Sequence, residues 1–281
     1  MEYRSLEGVS LPQLVEAWNA GFADYAVPMV MTGESMTRLL TARGYAAHIS
    51  AGAFDDGRLV GFVLNGLRPW RGVLTGYDTG TALLPAYRGK GIAKATMALA
   101  LDLLRTAGAE QYLLEVIQTN TPAVELYTKQ GFHIVREFPC FQGPKPAFAA
   151  SPWHFETVPV TAQLLAELGN LDALAPSWQY SDDTLLTRAE HDIAATLSDS
   201  RGLVACGIIT RQGGGIARLA VREDCRRQGI GRALMAVLAH ISECEKLIII
   251  NVDGGGQAGI AFLKALGFED YISQYEMVLP L

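Results

Sequence analysis

The sequence predicts an α/β protein in which one unit is built twice, and three observations carry the prediction. The apolar run Thr81-Ala82-Leu83-Leu84 is followed by Pro85, by the glycine loop Arg88-Gly89-Lys90-Gly91-Ile92-Ala93 and by an Ala/Leu-rich stretch over 94–104. That order reads as strand, turn and helix start. It returns at Leu219-Ala220-Val221, Arg226-Arg227-Gln228-Gly229-Ile230-Gly231 and a helical run over 232–243. The offset between the copies is nearly constant, 138 residues from Arg88 to Arg226 and 136 from Gly131 to Gly267. A fixed offset of that size marks a repeated domain, and 281 residues are enough for two.

In chain order, residues 2–6 read as a short strand and 11–21 as a helix, with Leu14, Val15 and Trp18 at helical spacing. The segment 22–28 interrupts it, and a second helix over 32–43 starts behind a Thr/Ser cap signal. Alternating segments at 47–54 and 58–67 meet at Asp55-Asp56-Gly57, a hairpin signal, and Trp70-Arg71-Gly72 turns the chain into a long strand over 73–84. A buried strand over 112–117, a helix over 120–130 and strands within 132–141 complete the first copy. Gln142-Gly143-Pro144-Lys145-Pro146 is rich in breakers and reads as the linker, which gives domains 1–143 and 150–281. The second copy reads as a strand at 153–158, a helix at 160–169, a loop at 176–180 and strands at 203–211 and 216–221 around Gly213-Gly214-Gly215. The loop and helix described above follow, then a buried strand at 247–252 and a closing motif at 262–268.

Composition narrows the function. With 49% hydrophobic and 19% charged residues each half can bury a core, and neither reads as disordered. A net charge of −6 argues against a nucleic-acid or anionic-membrane binder, which needs clustered positive charge. Cys140, Cys206, Cys225 and Cys244 show no paired short spacing, so neither a disulfide framework nor a zinc site is expected, and the five histidines form no ligand motif. No apolar run reaches the length of a membrane span and the N-terminus has no apolar leader, so the expectation is a reduced, cytoplasmic protein.

The glycine loops carry the chemistry. Glycines let the backbone approach a ligand closely, and first-turn N–H groups at a helix start are donors beside the positive end of the dipole, which suits phosphate. The spacing fits neither Gly-x-Gly-x-x-Gly, since Lys94 stands three after Gly91, nor a P-loop. What remains, Arg-x-x-Gly-x-Ala, resembles the acyl-CoA pyrophosphate loop of the GCN5-related N-acetyltransferase (GNAT) family. Downstream, Asn120-Thr-Pro-Ala-Val-Glu-Leu-Tyr127-Thr-Lys-Gln-Gly131-Phe132 resembles that family's second motif, and the likeness covers nearly the whole chain as two tandem domains.

The resemblance implies acetyl transfer from acetyl-CoA to an amine by direct attack, within a mixed, largely antiparallel sheet in each half. It implies that Leu83 and Leu84, and Leu219, Ala220 and Val221, offer main-chain groups to the pantetheine arm. Loop residues Arg88, Gly89, Lys90, Gly91, Ile92 and Ala93, and Arg226, Arg227, Gln228, Gly229, Ile230 and Gly231, would hold the pyrophosphate, with Asn120 at the start of the second motif. Tyr127 stands where the family places the proton donor to the departing thiolate. The aligned position in the second half is Leu263, and Gly256 stands opposite Asn120, so catalysis is expected in the first half. An aliphatic amine is mostly protonated at neutral pH, so a base is needed; Asp78, Tyr77 and Glu115 are candidates, with Glu115 ranked first.

Structural readings stand beside these. The glycines also suit plain turns, Tyr127 an amphipathic helix face, Glu115 a satisfied strand carboxylate, and Phe22, Asp24 and Tyr25 a staple between helices. The expected partner is a small-molecule or peptide amine, with the protein a monomer or homodimer. An acyl-CoA sensor without catalysis, and a thiol acceptor as in mycothiol synthase-like tandem members, stay open.

Overall fold

The computed structural model describes residues 1–25, 29–146, 151–171 and 175–281. They form two compact units. One comprises Met1–Val116, Asn120–Val135 and Glu276–Leu281, and the other Ile117–Thr119 with Arg136–Tyr275. The contiguous halves expected from sequence are thus interleaved at their ends.

The chain begins with β1 (Glu2–Ser5), α1 (Leu11–Gly21), α2 (Gly33–Arg43), β2 (Ala51–Asp55), β3 (Arg58–Trp70) and β4 (Val73–Leu83). It continues with α3 (Ile92–Thr106), β5 (Gln111–Ile117), α4 (Thr121–Lys129) and β6 (His133–Pro144). Local chemistry explains these boundaries. Ser10 and Gln13 form a capping box on α1, Thr32 caps α2 by accepting from the Ser35 N–H at 3.2 Å, and Gly44 ends α2 in the left-handed region. Asp56-Gly57 and Arg71-Gly72 all have positive φ, from 47° to 84°, so both hairpins turn with the hand that matches strand twist.

Strands β1 to β4 pair antiparallel in sequence order. Strand β5 runs parallel to β4, but only Thr75–Tyr77 pair with Gln111–Leu113, and beyond that point the two strands diverge. A bulge at Thr79 sits at the start of this splay, because Asn65 pairs with Asp78 and Leu64 with Gly80. The bulge reverses which face of the sheet later residues address. Gly76 lies against Leu104 of α3, whereas Gly80 lies against Trp18 of α1, so helices cover both faces. Trp18 is fully buried, 5.9 Å from the Phe62 ring and 4.6 Å from Phe22.

The second unit contains β7 (Glu156–Pro159), α5 (Ala162–Gly169), α6 (Asp182–Thr187), β8 (Asp192–Asp199), β9 (Gly202–Thr210) and β10 (Ile216–Val221). It goes on with α7 (Ile230–Ile241), β11 (Lys246–Ile249) and α8 (Gln257–Ala265), and β12 (Glu269–Pro280) is the last strand. Strands β7 to β10 are antiparallel, β11 pairs antiparallel with β6, and a single parallel bridge, Gly215 to Ile248, links the start of β10 to β11. Here too a bulge is present, at Ala217.

Several sequence expectations are corrected. Gln142, Gly143 and Pro144 are not linker: they pair with Ile248, Leu247 and Lys246, and Phe268 packs where a Gly143 side chain would stand, so glycine is required by contact and not by a turn. The sequence reading assigns no element to β8, α6 or β12. The interrupting segment 22–28 is described only as far as Tyr25, its last three residues lying outside the described ones.

Strand β12 is the neighbour of β5, and its final residues belong to the first unit. Gln118 N–H donates to Ser273 O and Leu281 N–H to Glu110 O, each at 2.9 Å. That antiparallel register sets buried Glu276 opposite Glu115. Among the described residues no helix is long and apolar enough to cross a membrane.

Candidate active site

Glycines 89 and 91 have φ of 74° and 77°, and a side chain on either would meet nothing within 4 Å, so the backbone itself faces open space. Gly91 caps α3, and the first bond back along the helix is Ala95 N–H to Gly91 O at 3.1 Å. The N–H groups of Ile92, Ala93 and Lys94 are therefore helix-start donors. Open backbone, converging donors and the dipole fit a pyrophosphate, the feature by which a CoA thioester is held. The second unit repeats the cradle: Gly229 has φ 84°, Ala233 N–H donates to Gly229 O at 3.0 Å, and Arg227 adopts φ 64° where the first loop has Gly89. Gly231 has another role, since a Cβ there would stand 3.2 Å from the Phe262 ring.

Several other residues expected at the cofactor are engaged within the protein. The Arg88 guanidinium makes a two-pronged pair with Asp24 at 2.5 and 2.8 Å and also bonds Gly21 O and Leu83 O, tying the end of α1 to the end of β4. Asp24, weighed from sequence as a staple between the two helices or a substrate contact, pairs instead with Arg88, whose hydrogen bond holds its carboxyl below the usual range. Arg226 repeats the Arg88 bond to the strand end, donating to Val221 O at 2.9 Å, and Lys90 Nζ donates to Ala86 O at 2.9 Å.

Leu84 and Ala220 are turned away. Leu84 N–H donates to Val60 O at 2.9 Å, which makes Val60/Leu84 and Phe62/Ala82 the hydrogen-bonded pairs of β3 and β4. The N–H groups of Leu83 and Thr81 accordingly point into the splay. In the second unit Arg222 N–H donates to Val204 O at 2.8 Å, so Val221 and Leu219 point outward and Ala220 toward β9. Thr81 was absent from the sequence-based set; strand alternation becomes readable only once the bulge and the β3 register are known.

Two polar groups occupy opposite faces of the splay. On the α1/α2 face, Tyr77 OH donates to Glu115 Oε2 at 2.6 Å. Burial, and then the Glu115 charge, hold the Tyr77 phenol well above its ordinary range. On the α3 face, Thr81 OH donates to Asp78 Oδ2 at 2.7 Å, and the Tyr127 hydroxyl stands beside both. Phe132 packs against Tyr127 and Tyr112 with ring centroids 5.6 Å apart in each case, and Tyr112 OH donates to Asn65 Oδ1 at 2.5 Å. Burial, reinforced by the Asp78 charge, keeps the Tyr127 phenol well above its usual range, so it holds its proton at neutral pH. Burial also pushes the Asp78 carboxyl up to about 6, against the bonds from Thr81 and the Gly80 backbone. Asn120 caps α4, accepting from Ala123 N–H at 3.4 Å, and stands near Tyr25.

In the second unit the aligned positions are aliphatic. Ile216, Leu219 and Leu263 stand at the positions of Asp78, Thr81 and Tyr127, and all three belong to or pack on one hydrophobic cluster. Gly256 replaces Asn120 as the cap of α8. Among the described residues no cluster suited to a metal ion is found.

A parallel strand pair splaying beside a glycine-capped helix, present twice, is the architecture of an acetyltransferase fold in tandem. The acetyltransferase (GNAT) family model matches residues 14–132 and 164–268, and the chain belongs to that family. A streptothricin acetyltransferase of Streptomyces lavendulae is 40% identical over 77 residues, 27% of this chain and 40% of that protein. N-alpha-acetyltransferase 30 of Schizosaccharomyces pombe is 35% identical over 81 residues, 28% of this chain and 54% of that one. The chain thus spans about half or less of these relatives. The tandem GNAT protein from the clavulanic acid biosynthesis pathway shares the fold over 99% of this chain and 98% of its own, with TM-score 0.73 and 18% identity. The GCN5-related N-acetyltransferase from Sphaerobacter thermophilus does so at TM-score 0.72 and 16% identity, over 99% and 95%.

Proposed function

We propose that this chain transfers an acetyl group from acetyl-CoA to an amine of a small molecule or peptide, and that the first half does the chemistry. The observation that carries the reading is the division of labour across the first splay: Tyr77 and Glu115 on one face, Asp78, Thr81 and Tyr127 on the face of the phosphate cradle. Acetyl-CoA supplies the activated acyl group. The amides of Ile92, Ala93 and Lys94 hold its pyrophosphate, and the Leu83 and Thr81 N–H groups in the splay orient the arm and acyl oxygen. Glu115 takes a proton from the ammonium form of the acceptor, which must be neutral to attack. Tyr127, kept protonated by burial, gives its proton to the departing sulfur.

The second half keeps the cradle but has aliphatic side chains at the acid positions, which favours a binding role there without catalysis. Calorimetric titration of acetyl-CoA into the protein and into Gly91→Glu and Gly229→Glu tests the site assignment. Loss of binding only with Gly229→Glu would move the working site to the second half. A thiol-release assay with an amine panel then tests the reaction, and turnover unchanged in Tyr127→Phe would remove Tyr127 from it.

A further inference from the structure

Two carboxylates flank the first splay, and the amine reaction needs two protons moved. Forming the N–C bond from a neutral amine leaves a second proton on nitrogen, while Tyr127, having protonated sulfur, is left as tyrosinate. Asp78 stands where both needs meet. In a regular strand Asp78 and Thr81, three residues apart, would face opposite sides of the sheet. The bulge at Thr79 brings them to one face, where Thr81 OH fixes Asp78 Oδ2 at 2.7 Å. The other oxygen, Oδ1, is sealed from solvent and has no partner within ordinary hydrogen-bond geometry, and the Tyr127 hydroxyl stands beside the carboxyl.

We infer that Asp78 closes a proton circuit within the site: Oδ1 accepts the proton released from the acceptor nitrogen as the N–C bond forms, and returns it to the Tyr127 oxygen. One N–H bond breaks and one S–H bond forms, and Asp78 and Tyr127 both end as they began. The inference rests on the acetyl-transfer reading above. The groups beside Asp78 or acting on it through their charge are Tyr127 from α4, Tyr112 from β5, Tyr25 from the segment after α1, Thr81 of its own strand and, from the other face, Arg43 of α2 and Tyr77. Arg43 is the cation among them and favours the ionised, proton-accepting form, while burial opposes it.

The test is thiol-release kinetics of Asp78→Asn, Tyr127→Phe and the double variant with an amine that the wild type acetylates, beside calorimetric acetyl-CoA affinity. Asp78→Asn is expected to lower kcat about 100-fold, to leave acetyl-CoA affinity within about threefold, and to lack the rise of rate through pH 6 that the circuit requires of the wild type. Because both residues serve one circuit, the double variant should be about as slow as the slower single one. Thr81→Val, which removes the donor that orients the carboxylate, should cost about tenfold in kcat and checks the circuit through another side chain. Full rate in Asp78→Asn with a slow Tyr127→Phe, or losses that multiply to about 10,000-fold, would overturn the circuit alone. A wild type that binds acetyl-CoA but acetylates no amine would overturn the underlying reading and the circuit with it.

Discussion

Replacing Asp78 by Asn tests the structure independently of turnover. In the unfolded chain an aspartate ionises near 3.8, whereas burial in the splay raises the folded value to about 6. Below 3.8 the carboxyl is neutral in both states and carries no charge penalty; above 6 it is ionised in both, and the folded state bears the full penalty. Stability contributed by this group is therefore greatest at low pH and is lost as pH rises through 6. At about 1.4 kcal/mol per tenfold change in proton affinity, the loss is about 3 kcal/mol at pH 7.5. Asparagine keeps an acceptor for Thr81 and cannot ionise, so Asp78→Asn should become more stable relative to wild type by about 3 kcal/mol between pH 3.5 and pH 7.5. Urea unfolding at these two pH values, followed by near-UV signals of the first unit, measures the difference. A stability gap that stays constant across the range would show that the carboxylate is not desolvated when charged, and the physical account of Asp78 would fail.

Gly91→Glu forces a side chain into the left-handed region and places negative charge in the cradle; calorimetry should show first-site acetyl-CoA affinity reduced at least about tenfold. Tyr127→Phe should lower kcat about 100-fold or more with acetyl-CoA affinity nearly unchanged, read by thiol release and titration. Gly80→Ala sets a Cβ 2.5 Å from the Trp18 ring, so chemical denaturation should show a loss of about 1–3 kcal/mol from overpacking. Arg227→Gly relieves a left-handed arginine, offset in part by added freedom in the unfolded chain, and should raise the stability of the second unit by about 0.5–1 kcal/mol in the same assay.

What the sequence determined by itself was everything set by neighbours along the chain. The Asp56-Gly57 turn, the Thr32 cap, the extent of α1 and the glycine-capped starts of α3 and α7 follow from residues within a few positions of one another. The repeat, and with it the loss of Tyr127 and Asn120 counterparts, followed from comparing the chain with itself. Tertiary structure alone decided which backbone donors and which carboxylates meet. Leu84 and Ala220 were offered to the cofactor by position, but pairing with β3 and β9 commits their N–H groups and presents Thr81 and Leu219 in their place. Arg88 is assigned to the phosphate by its place in the loop, and the fold adds a pairing with Asp24 that the sequence does not show, because the segment after α1 brings a carboxylate within 2.8 Å of it. Asp78 and Thr81 share a face only because the partner strand skips Thr79, and strand register sets Glu276, from the far end of the chain, opposite Glu115. A bulge and a strand register are set by the partner strand, so neither is encoded in the local pattern of the strand that carries the site.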